Sequence, residues 1–272
     1  MGHATAAKSA PVTCDVLVVG GGPAGSTISA LLADQGWTVH ILEKDSHPRF
    51  HIGESLLPQS LPVLKRLGVL PEVEKIGIIK YGAEMISHRY GRSQMFYFAK
   101  AFDESQPYAF EVKRSEFDTI LLKNAIAKGA TVHEGVKALR VEFRPGQSSL
   151  VHTENREGRP RVWDAKFVVD ASGRDTFLSN QLGGKRRSQQ HSSAAIFGHF
   201  EGVGRLPGKD EGNITAGWLN DGWCWLIPFK DGTTSVGVVC YPDYIKTRTG
   251  SLDQFLLDTL RQSPPIAKRM EH

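Results

Sequence analysis

One stretch constrains the fold more than any other. A β-branched apolar run, Asp15-Val16-Leu17-Val18-Val19, passes straight into Gly20-Gly21-Gly22-Pro23-Ala24-Gly25. A continuous apolar run of this kind is the pattern of a strand buried on both faces, as in a parallel sheet. Ala24 to Gln35 then has helical spacing, with Ile28, Leu31 and Leu32 on one face and Gly36 as the stop. Thr38-Val39-His40-Ile41-Leu42 forms a second strand that ends at Glu43. The sum is a β-α-β unit with a right-handed crossover. Gly20 permits the tight turn, Gly22 leaves room for a pyrophosphate, and Gly25 lets helix and strand pack closely. Pro23 and Ala24 open a helix whose free amides and positive dipole end attract phosphate. Glu43, roughly twenty residues past the central glycine, is placed to accept hydrogen bonds from an adenosine ribose. Strand, loop, helix, strand and acid together indicate a dinucleotide.

The remaining numbers exclude more than they assign. A chain of 272 residues can bury one large or two small cores. Its 33 basic and 29 acidic residues nearly balance, with no electrostatic footprint for nucleic acid. No apolar run approaches a membrane span. Residues 1–12 read as a disordered leader without a signal-peptide core. Cys14, Cys224 and Cys240 are odd in number and lack metal-ligand spacing, so no metal is expected and the compartment reads as reducing, hence cytoplasmic.

From Lys80 the pattern turns antiparallel. Tyr81 to Tyr90, Ser93 to Ala99, Ile214 to Leu219, Trp223 to Phe229 and Thr234 to Cys240 are strand-like. Asn220-Asp221-Gly222 and Lys230-Asp231-Gly232 are hairpin signals, and residues 191–200 add a further strand. The expected class is α/β: a Rossmann-like domain with a parallel sheet (13–79 and 111–188) and a second domain with a mainly antiparallel, mixed sheet (80–110 and 189–250). An amphipathic helix follows within 251–272.

Several segments resemble those of FAD enzymes related to the aromatic hydroxylases. Arg114-Ser115-Glu116-Phe117-Asp118 is similar to their R-x-x-F-D segment, in which the arginine reaches the cofactor. Phe167-Val168-Val169-Asp170-Ala171-Ser172-Gly173-Arg174 is similar to their second flavin-contact segment, which implies roles for Asp170 and Gly173. Val136 falls where that group has an adenine-contacting strand residue. Read as bare residues, these are equally an ordinary helix with an exposed arginine and a plain strand-to-turn exit.

A narrower resemblance is to the flavin-dependent halogenases. Arg49-Phe50-His51-Ile52-Gly53-Glu54-Ser55-Leu56-Leu57-Pro58 is similar to their G-E-S-L-L-P segment, of the branch acting on phenols or on pyrroles held by a carrier protein. In the family it lies along the flavin, which implies cofactor contacts for Arg49, His51, Ile52, Gly53, Glu54 and Ser55, and for Lys44 beside the ribose acid. Ser55 also reads as the cap of a helix beginning at Leu56. Trp223-Cys224-Trp225-Leu226-Ile227-Pro228 fills every defined position of the family's W-x-W-x-I-P pattern. Alternation along a strand puts Trp223, Trp225 and Ile227 on one face, and a purely structural core face is the competing reading. Lys80 lies where the family carries its catalytic lysine; the residues alone leave a surface lysine at a strand start open.

The resemblance implies the following chemistry. Reduced FAD from a separate flavin reductase, with dioxygen and halide, gives hypohalous acid. Lys80 holds that oxidant or becomes a haloamine, and an electron-rich aromatic, free or carrier-bound, is halogenated. The two tryptophans would wall the cavity near the flavin and keep substrate from the oxidised oxygen. The similarity covers Cys14 to Gln262, whereas the family continues with a flavin-closing glycine segment and a carboxylate-bearing region not found here, so a C-terminally truncated chain is expected. An FAD-dependent monooxygenase acting on a small organic substrate, or an inactive homologue, are the alternatives.

Overall fold

A computed structural model of the chain describes residues 10–186, 188 and 192–271. The leader expected over 1–12 falls, through residue 9, outside them. In chain order the first half forms β1 (Val12–Val19), α1 (Pro23–Ala33), β2 (Val39–Glu43), α2 (Ser60–Leu67), α3 (Leu70–Ile76), β3 (Ile78–Lys80), β4 (Gly82–Ser87), β5 (Arg92–Tyr97) and β6 (Ala109–Glu111). Next come α4 (Arg114–Ala127), β7 (Thr131–Glu134), β8 (Val136–Glu142), β9 (Ser149–Asn155), β10 (Pro160–Asp170) and α5 (Phe177–Gln181). The chain closes with β11 (Ala194–Phe200), β12 (Ile214–Leu219), β13 (Gly222–Pro228), β14 (Thr234–Cys240), α6 (Pro242–Lys246), α7 (Leu252–Arg261) and α8 (Pro264–Arg269). They form two compact units: the described residues within Met1–His51 and Ser115–Arg186, and those within Ile52–Arg114 and Arg187–His272.

The first unit is built on a six-stranded sheet, β7-β2-β1-β10-β9-β8. β1 pairs in parallel with both β2 and β10, and β2 with β7. The β10-β9-β8 end is an antiparallel meander. Leu17 and Val18 are fully buried in β1, as the unbroken apolar run requires. Cys14, Leu17, Leu42, Val141, Val151, Trp163 and Ala165 form one core. The expected apolar face of α1 differs from the one it buries. Gly25, Ser26, Ser29 and Ala30 are buried, whereas Ile28 is 37% exposed. The cause is proximity: a Cβ on Gly25 would overlap the Gly20 carbonyl, so the helix lies too near β1 for anything but small residues beneath it.

In the second unit a six-stranded sheet runs β11-β14-β13-β12-β4-β5. Its pairs are antiparallel except β12 with β4, so segments from two distant parts of the chain meet in one mixed sheet. One face is covered by the C-terminal helices: Cys224, Leu226, Val236, Val238 and Cys240 pack with Phe255, Leu256, Leu260 and Ile266. Ser251 caps α7, accepting from the Gln254 amide. Separately, β3 and β6 form a short antiparallel ladder. The fold class is the one read from the sequence: a parallel-sheet α/β unit and a mainly antiparallel second sheet. All three cysteines are free and buried, and burial pushes the Cys14 and Cys240 thiols up to about 11 and Cys224 to about 12.

Candidate active site

The glycine loop of the first unit is a preformed cradle. Gly20 adopts a φ of 107°, and a Cβ there would sit 2.8 Å from the Ala171 carbonyl carbon at the β10 exit, so only glycine fits. Gly22 is different: a Cβ would meet nothing nearer than Arg49 Nη2 at 3.6 Å, so the space above the loop is open. Gly22 is the N-cap of α1 with no side-chain cap bond, and Pro23 follows. The first-turn amides therefore face that space with the positive end of the helix dipole behind them. Glu43, at the end of β2, is buried beneath the loop. Its Oε2 accepts from the Gly21 amide at 2.8 Å and its Oε1 from the Asp45 amide at 2.9 Å.

Arg49 leans over the same loop, 3.7 Å from Glu43 and 3.6 Å from the buried Asp118 of α4. Its Nε is buried without a hydrogen-bond partner among the described residues. A guanidinium N–H left unsatisfied beside an open, amide-lined space fits a diphosphate, although two carboxylates already face the same group. Lys44 is held by Asp175, and Asp170, exposed at the end of β10, accepts from the Ser172 amide and hydroxyl and, at 2.8 Å, from the Leu178 amide. Gly173 follows in a left-handed conformation, φ 62°. Val136, half-buried at the start of β8, packs against the Trp163 core.

The second unit holds the lysine cluster. The G-E-S segment meets β6 in an isolated antiparallel bridge: Leu56 N–H donates to the Phe110 carbonyl and Val112 N–H to the Glu54 carbonyl, with Ser55 opposite Glu111. This corrects the expected helix cap, because α2 begins only at Ser60, with Gln59 at the N-cap position making no side-chain cap bond. Ser55 serves a different purpose. Its Oγ accepts from Lys80 Nζ and donates to Glu111 Oε1 at 3.2 Å. Lys80 closes β3 and is 1% exposed. Its Nζ lies 3.3 Å from Glu111 Oε1 and 5.9 Å from the Phe98 ring centroid. The surface-lysine reading is thus excluded. Burial pulls the Lys80 amine below the usual lysine range, with Glu111 acting in the opposite sense. Burial likewise pushes Glu111 up to about 8 against the pull of Lys80 and Ser55. Glu54 is buried and bonded to His199 Nε2 at 2.8 Å. Gly53, φ 97°, leaves room for Arg114, whose Nη1 donates to the Ile52 carbonyl at 2.6 Å.

On the face of the large sheet opposite the C-terminal helices, Trp225, Ile227 and Phe229 form a small cluster with Phe197, Ile214 and Val239. Trp225 is 7% exposed and lies over Gly237, its Nε1 donating to Ser235 Oγ at 3.1 Å. Trp223, centred 5.8 Å away, is 41% exposed. The two indoles share a face as the alternation predicts, but one is core and the other half in solvent.

Residues 13–213 match the family described as FAD binding domain. The chain belongs to the FAD-binding domain family. It is 35% identical over 260 residues to a tryptophan 2-halogenase from Chondromyces crocatus, covering 93% of this chain and 49% of that protein. It is 34% identical over 248 residues to a 1H-pyrrole-2-carbonyl-(peptidyl-carrier protein) chlorinase from Pseudomonas fluorescens, covering 83% and 55%. The solved myxobacterial chondrochloren halogenase CndH, a variant of the FAD-dependent halogenases, superposes with a TM-score of 0.82 at 32% identity over 96% of this chain and 60% of its own. The similarity to flavin-dependent halogenases drawn from the motifs is therefore borne out. The chain spans about half the length of the curated relatives it matches.

For an FAD-binding family member, the sequence reading missed three groups. Glu111 is one; its signal was an acid inside the otherwise apolar Ala109-Phe110-Glu111-Val112 run. His199, the partner of Glu54, and Gly237, the seat of Trp225, carry no local signal, because strand register alone brings them there. No group of metal ligands occurs among the described residues, and none of their helices is long and apolar enough to cross a membrane.

Proposed function

We propose that this protein is a flavin-dependent halogenase acting on an electron-rich aromatic ring, a phenol or a pyrrole, free or tethered to a carrier protein. FAD, when bound and reduced by a separate reductase, would give two electrons to dioxygen, which takes two more from halide, the products being hypohalous acid and water. The first unit would hold it: Gly20, Gly22, Pro23, Ala24 and Gly25 at the diphosphate, Glu43 and Lys44 at the ribose side, and Arg49 closing the loop. The resemblance adds His51, Val136, Asp170 and Gly173 of the first unit as cofactor residues, and it assigns the same role to Ile52, Gly53, Glu54, Ser55 and Arg114 of the second. The single observation that carries the reading is the amine of Lys80, withdrawn from water yet held by hydrogen bonds from a defined direction. A desolvated amine is more readily neutral, and a neutral amine is nucleophilic towards positive halogen. Trp225 and Trp223 supply bulk that keeps an aromatic substrate off the site of oxidation. The free thiols favour a reducing compartment, the cytoplasm.

The test is Lys80→Ala assayed with FAD, a flavin reductase, chloride or bromide, and a panel of phenols and pyrroles, read by mass spectrometry. Reduced-flavin oxidation should persist, hypohalous acid should leak to an external trap, and halogenated product should fall at least about a hundredfold, the order seen when a positioned acid–base or nucleophilic group is lost. Halogenation retained by the variant overturns the role of Lys80. Oxygenated rather than halogenated product from the wild type, with halide present, would instead assign a monooxygenase.

A further inference from the structure

Lys80 does not stand alone, and its partner carries a further step. β3 pairs with β6 so that Lys80 faces Ala109 and Ile78 faces Glu111. Lys80 and Glu111 are therefore diagonal neighbours on one face, within reach of a long side chain. Glu111 is 0% exposed; its Oε1 takes Ser55 and Lys80, while its Oε2 is buried with no hydrogen-bond partner among the described residues. An ionised carboxylate left half-satisfied in a core is costly, whereas a carboxyl that can take up a proton is not.

We propose that Glu111 is the proton partner of Lys80, the two sharing one proton that moves to the carboxyl when the amine must act as a nucleophile. The use of that proton rests on the reading of Lys80 given above. First, an N–H bond of the Lys80 ammonium breaks and an O–H bond forms on Glu111. The neutral amine then attacks the halogen of hypohalous acid: N–X forms, X–O breaks, and the hydroxide leaves as water with a proton shed by the same nitrogen. The aromatic carbon next takes the halogen, C–X forming and N–X breaking, and the ring proton passes to nitrogen. Glu111 finally returns its proton to Lys80. No net proton or electron is consumed after hypohalous acid is made. The groups facing the pair are Ser55 and Glu54 from the bridged segment, with His199 of β11 behind Glu54. Glu54 further favours the protonated carboxyl, and burial acts in the same direction. Glu111 acts through Lys80 and is a positioning residue.

The experiment titrates Lys80 by NMR in protein carrying lysine labelled with carbon-13 at Cε, the signal identified by its absence in Lys80→Met. Two interacting sites titrate in two macroscopic steps. The wild-type signal should therefore show two steps between about pH 5 and pH 11, one of them reporting Glu111. Glu111→Gln should collapse them to one and move the midpoint down by about one unit, a roughly tenfold change in the neutral fraction. Glu111→Asp should keep two. Superimposable wild-type and Glu111→Gln curves overturn the proposal. So does a single-step wild-type curve, which needs no variant to fold. The readout is independent of product formation, so a halogenation reading that fails at Lys80→Ala is told apart from a proton pair that fails here.

Discussion

Gly237→Ala should break the seat of Trp225, and the cost can be worked from the register. Trp225 stands opposite Gly237 in the β13–β14 ladder, and Phe197 stands opposite Gly237 on the other side. A Cβ at 237 would fall well inside van der Waals contact of indole Cζ2 and Cη2, and 2.7 Å from Phe197 Cβ. The backbone there needs no positive φ, so the strain is purely one of packing. Overpacking of this kind costs about 1–3 kcal/mol. Alanine also restricts the unfolded chain relative to glycine, which returns about 0.4–1 kcal/mol. The net expectation is a loss of about 1–2 kcal/mol.

The diagnostic is the background. Trp225→Phe removes the two indole atoms nearest the new methyl but leaves Phe197 in place. It also leaves Ser235 Oγ without its indole donor, at a cost of about 0.5–1.5 kcal/mol. In that background Gly237→Ala should cost at least about 1 kcal/mol less than in the wild type, a coupling expected only of residues in contact. Urea unfolding followed by far-ultraviolet circular dichroism measures all four proteins without relying on the indole signal. Equal costs of Gly237→Ala in both backgrounds, within about 0.5 kcal/mol, refute the claim that glycine is required there by the indole.

Two further outcomes follow from the first unit. Gly22→Ala should leave stability within about 0.5 kcal/mol, since its Cβ enters open space, yet weaken FAD at least about tenfold in a flavin fluorescence titration. Unchanged FAD affinity would mean that the diphosphate does not lie over that residue, whereas Gly20→Ala should fail in folding itself. The second concerns acid: His133, 2.9 Å from His40, is pushed down to about 4 by burial, then by His40 and Arg161. With a folded value below the unfolded 6.5, the unfolded chain binds the proton first. The stabilisation is complete above about pH 6.5 and is lost as pH falls towards 4. The half-buried ring limits it to on the order of 1–2 kcal/mol, and His133→Gln should flatten that stretch of the pH–stability curve; an unaltered slope removes His133 as its source.

What was legible in the sequence was whatever short-range pattern encodes. The strand, glycine loop, helix and acid from Asp15 to Glu43 appear as read, because each signal is contiguous and each glycine answers a local steric demand. The alternation in β13 placed Trp223 and Trp225 on one face for the same reason. The misreadings arise where a distant partner decides. Ile28 looked like the apolar stripe of α1, but the closeness of β1 selects small residues for the buried side. Ser55 had the composition of a cap, but it bridges to β6 before any helix begins. Which face of β13 is covered by helix is settled by residues 252–269, far downstream.

Lys80 was legible in the sequence and its partner Glu111 was not, yet burial ties the two together. β6 is buried from Ala109 through Glu111, and the next residue, Val112, is buried too; an apolar residue at 111 would satisfy that core at no electrostatic cost. A carboxylate there loses its hydration, and a lysine there loses its own; attraction across 3.3 Å restores part of each, and Ser55 adds hydrogen bonds to both. The balance still leaves Glu111 Oε2 unanswered. A well-packed apolar pair in this position would be equal or better for stability. Stability therefore does not account for the pair held in a dry ladder, whereas the proton exchange proposed for it would use both groups at this separation and in this burial.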